Sequence, residues 1–172
     1  MARSGSHFMR SQLLLLRHAK AKKPTAPHAD AKRPLTRRGR KDARGIAKGL
    51  DKRGFRPDLI WTSPAHRALE TACILAKRLG YKRRNIRIDD RLYATTATTL
   101  LRLIRRLDRQ EARVILCGHN PELLNVANRL GAELDRLPTC GWVQLKFDVG
   151  EWSEVTAANL ARLRSGHPGA KP

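Results

Sequence analysis

Three short apolar runs, each ending abruptly at a basic or small polar residue, constrain this chain more than any other feature. Leu13–Leu16 stops at Arg17-His18, Leu59–Trp61 runs into Thr62-Ser63-Pro64, and Val114–Cys117 stops at Gly118-His119-Asn120-Pro121. Each run is too short for a buried helix and does not alternate with polar residues. That pattern belongs to strands covered on both faces, as in parallel sheets. The expected strands are Gln12–Arg17, Leu59–Thr62 and Val114–Cys117, with Ile86–Ile88 as a short addition. Trp142–Phe147 alternates as a further strand, and a last one is expected within Val155–Leu163.

Between the runs the apolar spacing changes to that of helices. Thr36 is an expected N-cap, followed by Ala43, Ile46, Ala47 and Leu50 at helical spacing. Ser63-Pro64 reads as N-cap and first helical position of a helix with Leu69, Ala72, Cys73, Ala76 and Leu79 inward, stopped by Gly80. Ala97–Leu107 places Leu100, Leu101, Ile104 and Leu107 on one face, and Asn120-Pro121 reads as the cap of a helix reaching Leu130. Strand and helix alternate, then strands follow. The fold class is α/β: a three-layer α/β/α sandwich around a mostly parallel central sheet.

With 172 residues the chain suits one domain, expected over residues 9–164. Residues 1–8, with Ser-Gly-Ser-His, read as an expression-tag extension or a disordered leader, and 165–172 as a flexible tail. No apolar run approaches the roughly 20 residues a membrane span needs, and no signal-peptide core precedes Arg17, so no membrane partner is expected. Cys73, Cys117 and Cys140 form no C-x-x-C pair or metal-ligand spacing; three unpaired thiols fit a reducing, cytoplasmic setting. The net charge is +21, and residues 1–56 carry +14 of it. Such a field draws anions of any kind: phosphorylated small molecules, acidic proteins or nucleic acid.

The strand ends carry the candidate chemistry. In open α/β sheets, ligands sit beyond the carboxyl ends of the strands, where helix N-termini also point free N–H groups. Arg17 and His18, Ser63 and Arg67, and His119 and Asn120 all fall there. Two guanidinium forks and two imidazoles make a site for a dianionic oxyanion. A neutral imidazole, with an ordinary pKa of about 6.5, is a competent nucleophile near neutral pH. No carboxylate cluster is present to hold a metal, and no cofactor is required. Arg33, on the loop Ala21–Arg33, is placed to greet an anionic substrate.

These residues resemble the histidine phosphatase superfamily. The resemblance lies in LLLLRHAK at Leu13–Lys20, PLTRRG at Pro34–Gly39, SPAHRALET at Ser63–Thr71 and GHNP at Gly118–Pro121, in that order from Gln12 to about Phe147. The compact length and the RPLT element at Arg33–Thr36 are most similar to the small SixA-type phosphohistidine phosphatases of branch 1. The resemblance implies a phosphoglycerate mutase-like fold, a phosphorylated intermediate on His18, and a phosphate pocket of Arg17, Arg67 and His119. Ser63, Asn120 and Arg33 are added as substrate contacts, with no metal and no cofactor. Ala19 stands where many members have Gly, which is acceptable if no positive φ is needed there.

Larger members of the superfamily carry an acidic proton donor in an insertion that this chain lacks. Of the nearby acids, Glu70 reads as a structural partner, and Asp89 or Asp90 as weak candidate donors. An alkoxide leaving group needs a general acid, whereas imidazole can take its proton from water. The expected activity is therefore metal-independent hydrolysis of protein phosphohistidine. The alternatives are a phosphatase for a small phosphorylated metabolite, or a basic protein that binds polyanions or nucleic acid without catalysis. The last is weakened by the few aromatics, none interleaved with the basic runs, although non-specific polyanion binding stays open.

Overall fold

The computed structural model describes residues 11–26 and 29–170; the leader read at residues 1–8 lies outside them. Its frame is a six-stranded sheet. In chain order the elements are β1 (Ser11–Arg17), α1 (Arg37–Lys52), β2 (Leu59–Thr62), α2 (His66–Arg78), β3 (Arg87–Ile88), α3 (Ala97–Ile104), β4 (Arg113–Gly118), α4 (Glu122–Arg129), β5 (Trp142–Phe147) and β6 (Leu160–Gly166). The strands lie in the order β3-β2-β4-β1-β5-β6. The first four run parallel, and β5 and β6 add an antiparallel edge. This is the phosphoglycerate mutase-like α/β architecture.

The four consecutive leucines of β1 show why the sheet is central. All of Leu13, Leu14, Leu15 and Leu16 are 0% exposed. Alternation sends Leu13 and Leu15 to the face packed by Leu100 and Ile104 of α3 and Leu123 and Val126 of α4. Leu14 and Leu16 go to the opposite face, against Ala47 and Leu50 of α1 and Ala72 and Leu75 of α2. Burying each side chain is worth roughly 1.5–3 kcal/mol, so this strand anchors both layers.

Adjacent strands β1 and β4 are followed by helices on opposite faces, α1 after β1 and α4 after β4. A crevice therefore opens beyond their carboxyl ends. The register pairs Arg17 with Gly118, and the His18 amide donates to the Gly118 carbonyl at 3.0 Å. The next residue on each chain is thus delivered to the same crevice.

The first helix is fixed to the crevice at its start. Thr36 Oγ1 accepts from the Gly39 amide at 3.0 Å, which is the expected N-cap, and the Thr36 amide donates to Lys20 O at 2.9 Å. Gly39 packs so closely on this turn that a Cβ would lie 2.2 Å from Lys20 O. Further along, α1 breaks a local rule. Arg37, Lys41, Arg44, Lys48 and Lys52 recur at spacings of four, three, four and four on one exposed ridge, and no acid stands in the first turn. Each like-charge neighbour pair costs a helix about 0.2–0.5 kcal/mol, and cations at the N-terminus oppose the macrodipole.

Several boundaries differ from the sequence expectation. Ser63 does not cap α2: the helix starts at His66, and Ser63 Oγ accepts from the Ala65 amide at 3.2 Å in a turn before it. Asn120 does not cap α4, which begins at Glu122 with no side-chain cap; its Nδ2 donates to Leu137 O at 2.8 Å. Helix α3 ends at Ile104; Leu100, Ile104 and Leu107 are buried as expected, while Leu103 is buried in place of Leu101, which is only half-buried. Strand β6 continues to Gly166, because Ser165 and Gly166 pair with Val143 and Trp142, so the sheet runs two residues into the expected tail. Trp61, Trp142 and Trp152 are buried packing residues, as expected.

Candidate active site

The crevice brings His18, Arg67 and His119 into one hydrogen-bonded group. His18 is 8% exposed and Arg67 6%. Arg67 enters from the first turn of α2 and donates Nε–H to His18 Nε2 at 3.2 Å. Its Nη2 stands 3.5 Å from His119 Nδ1. The two imidazole rings have centroids 5.3 Å apart.

Partners settle the tautomers. His18 Nδ1 lies 2.8 Å from the Ala19 carbonyl, which can only accept, so Nδ1 carries the proton. The lone pair is left on Nε2, facing Arg67. For His119, Nδ1 faces a guanidinium donor, so Nε2–H donates to Ser63 Oγ at 2.8 Å. The loop after His18 is held by the Ala19 amide, which donates to Thr71 Oγ1 at 3.1 Å. Ala19 is fully buried and needs no positive φ, so its methyl group is accommodated.

The other expected contacts are distributed differently. Arg17 donates from Nη1 to Leu137 O at 3.0 Å, and its buried Nε has no partner. Asn120 donates to the same carbonyl and leaves its buried Oδ1 without a partner; it is not in the histidine–arginine group. Arg33 reaches the site through an intermediary, donating Nη1 to Asp30 Oδ1 at 2.8 Å. Glu70 is structural, accepting from the Leu35 amide at 2.9 Å and Arg40 Nε at 2.5 Å. Asp89 is bonded to Arg91 and Trp61, and the hydrogen bonds from Arg91 lower its pKa; Asp90 is exposed and, among the described residues, no side-chain hydrogen bond joins it to the group.

Two members of the site are not among the candidate residues read from the sequence: Asp30, on the same approach loop as Arg33, and Tyr93. Asp30 O accepts from Arg67 Nη1 at 2.7 Å, and Asp30 Oδ2 accepts from Arg67 Nη2 at 3.1 Å and Tyr93 Oη at 2.9 Å. The Tyr93 ring also stands edge-on to His119, with centroids 5.5 Å apart.

A sequence profile of the histidine phosphatase superfamily (branch 1) matches residues 13–96. The structure provisionally assigned as the phosphohistidine phosphatase SixA of Agrobacterium tumefaciens is 31% identical, with a TM-score of 0.68, covering 80% of this chain and 92% of that one. The chain belongs to the histidine phosphatase superfamily, branch 1. It is a SixA-like phosphatase. An uncharacterized chloroplastic protein of Arabidopsis thaliana is 29% identical over 164 residues, 91% of this chain and 75% of that protein. The structure of the protein histidine phosphatase SixA complexed with tungstate has the same fold, with a TM-score of 0.75 at 19% identity, covering 91% of this chain and 97% of that one. Among the described residues, no helix is long and apolar enough to cross a membrane.

In this SixA-like pocket, electrostatics keep both imidazoles neutral. Burial lowers the His18 pKa to about 4; the Ala19 bond opposes it, and the charges of Arg67, Arg17 and Arg33 reinforce it. Burial and then Arg67 lower His119 to about 3. Asp30 is held in its charged form: the Arg33 hydrogen bond, with help from Tyr93 and Arg67, keeps its carboxyl down at about 2. Tyr93 is raised, first by its hydrogen bond to Asp30. At neutral pH the pocket therefore holds a neutral imidazole with an in-plane lone pair, a guanidinium beside it, and an ionised carboxylate that orients the guanidinium. Such a set can attack a phosphorus centre and stabilise the charge that spreads over its oxygens.

Proposed function

We propose that this phosphatase hydrolyses phosphohistidine in proteins through a covalent phosphoryl group on His18. The observation that carries the reading is the His18 tautomer: Nδ1–H is committed to Ala19 O, so Nε2 presents its lone pair beside Arg67. In the first step Nε2 attacks phosphorus and the substrate's P–N bond breaks. The bonding pair leaves with the substrate imidazole, which takes a proton from water. In the second step water attacks the phosphoryl group on His18, releasing orthophosphate and returning the lone pair to Nε2. Arg67 transfers its Nε–H from His18 to a phosphoryl oxygen as substrate enters. His119 and Arg17 complete the oxyanion pocket, and Ser63 holds His119 by accepting its Nε2–H.

The leaving group narrows the substrate. Among the described residues, Asp30 is the carboxylate bonded into this group, and at about 2 its pKa keeps it ionised. A deprotonated, triply engaged carboxylate is a poor acid for an alkoxide. Phosphohistidine needs no such acid, and exchange of a phosphoryl group between two imidazoles is nearly balanced in energy. Arg33 acts here through Asp30, as an orienting charge rather than a direct substrate contact.

The test is a comparison of two substrates in the presence of a chelator: a neutral phosphohistidine peptide and an alkyl phosphate monoester. The reading expects metal-independent turnover of the peptide, at least a hundredfold higher in kcat/KM than of the ester. Preference for the ester would place the protein among metabolite phosphatases instead.

A further inference from the structure

We propose that the basic ridge of α1 is a docking surface for an acidic protein, the phosphohistidine-bearing substrate itself. This rests on the phosphohistidine reading above and adds how the macromolecule is held. The ridge consists of Arg37, Lys41, Arg44, Lys48 and Lys52, all exposed and none engaged in an ion pair among the described residues. The nearby acids are committed elsewhere: Asp42 faces Arg38 at 3.8 Å, and Asp51 bonds Arg56 and Arg78. Arg44 and Lys48 also face Lys77 of α2 across a shallow groove, in which Arg78 and Asp51 are paired with each other; Lys77 widens the positive face.

Three observations separate this ridge from an ordinary solvated helix face. First, its charges oppose one another, with like charges at every ridge neighbour, and Arg37 stands at the helix N-terminus, where the dipole disfavours a cation; Lys52, in the last turn, is the ridge cation the dipole favours. Sites where local consistency is broken without a local gain tend to be functional. Second, it begins at the pocket. Thr36, the N-cap of α1, is bonded to Lys20, two residues after His18, and Gly39 of the first turn packs on it, so the ridge leads away from the crevice. Third, it is too long for a small substrate. Arg44 and Lys48 lie about 10 and 16 Å along the axis from Arg37, beyond the Debye length of about 8 Å at physiological salt. Charges that far out act on a partner large enough to reach them. The five ridge side chains include no aromatic group on which a nucleobase could stack, which favours a protein's carboxylates over a nucleic acid strand.

The probe is a small acidic carrier protein phosphorylated on histidine with phosphoramidate, set beside the neutral phosphohistidine peptide. The variant is R44E/K48E, whose side chains touch nothing in the pocket. Its fold is checked by thermal melting; because the introduced carboxylates would face Lys41 and Lys52, Tm is expected to hold or rise. The expected result is a KM for the carrier raised at least tenfold with kcat unchanged, and both constants unchanged for the peptide. Wild-type kcat/KM for the carrier should fall steeply with salt, and the variant's should be nearly flat. R44Q/K48Q should lie between the two. Equal KM values for the carrier in wild type and R44E/K48E overturn the proposal. So does an unchanged KM accompanied by lost retention of a DNA duplex, which would assign the ridge to nucleic acid. If the peptide is turned over but the carrier's KM ignores the ridge, docking fails alone; if neither is turned over, the substrate reading fails and docking with it.

Discussion

The pocket and the α1 ridge are both built of cations, yet they treat charge in opposite ways. In the pocket the central groups have assigned partners: Arg67 donates to His18, to the Asp30 carbonyl and to the Asp30 carboxylate, and Asp30 in turn gathers Arg33 and Tyr93. On the ridge, five cations face water with no acid among them. Burial explains the contrast. A guanidinium that is 6% exposed must be hydrogen-bonded or it costs several kcal/mol, whereas an exposed lysine is solvated at no such cost. The lesson is that fixed geometry and long-range attraction occupy separate surfaces here, joined at the turn where Gly39 meets Lys20.

That division is sharpened most by Arg67→Ala. Removing an oxyanion donor of this kind costs about 10²–10³ in kcat, and the loss should be the same for the peptide and the acidic carrier. A loss confined to the carrier would mean that Arg67 belongs with the ridge. Asp30→Asn comes next. It keeps the shape but removes the charge that Arg67 and Arg33 share, so kcat is expected to fall about tenfold, on the scale of one weakened charged hydrogen bond. Inorganic phosphate should then inhibit more strongly, because a competing anion has gone. Unchanged kcat in Asp30→Asn would contradict the orienting role given to that carboxylate, and weaker phosphate inhibition would show that its charge does not compete with the anion for Arg67.

The smallest effect is in the pH profile. The acid limb of kcat/KM that reports free His18 should lie near pH 4 rather than 6.5, because burial lowers that pKa. The same shift has a consequence for stability. Between about 6.5 and 4 the unfolded chain binds protons that the buried rings of His18 and His119 refuse. The stability these rings contribute is therefore full above pH 6.5 and is lost as pH falls toward 4 for His18 and toward 3 for His119. Ridge charges have no part in this, so R44E/K48E should leave the limb in place. A limb near 6.5 in wild type would show that His18 is solvated like a free imidazole.

Much of this site was legible in the sequence because the fold delivers strand ends to one place. His18, Arg67 and His119 each follow an apolar run or open the helix after it, and parallel pairing of β4 with both β1 and β2 brings them together. The two-sided burial of Leu13–Leu16 was likewise readable from an unbroken apolar run. The contacts of Asp30 were not. Arg67 lies 37 positions and Tyr93 63 positions away from it, and no local period reports such a meeting. Ser63 and Asn120 were misplaced as caps for a related reason. Both types favour caps by local bonding, but tertiary partners claimed them: Ser63 accepts from His119, and Asn120 donates to Leu137 O. Strand β6 extends beyond the Val155–Leu163 window because its edge position leaves a weak apolar signature, with Ala161, Arg162, Arg164 and Ser165 exposed.

During turnover phosphorus should become bonded to Nε2 of His18. Rapid acid-free quenching of the enzyme with excess phosphoramidate, followed by mass spectrometry of its peptides, reads this directly. One added phosphoryl group is expected on the peptide containing His18, stable to alkali, labile to acid and absent from His18→Ala. A phosphoryl group found on His119 instead, or undiminished turnover by His18→Ala, would contradict it.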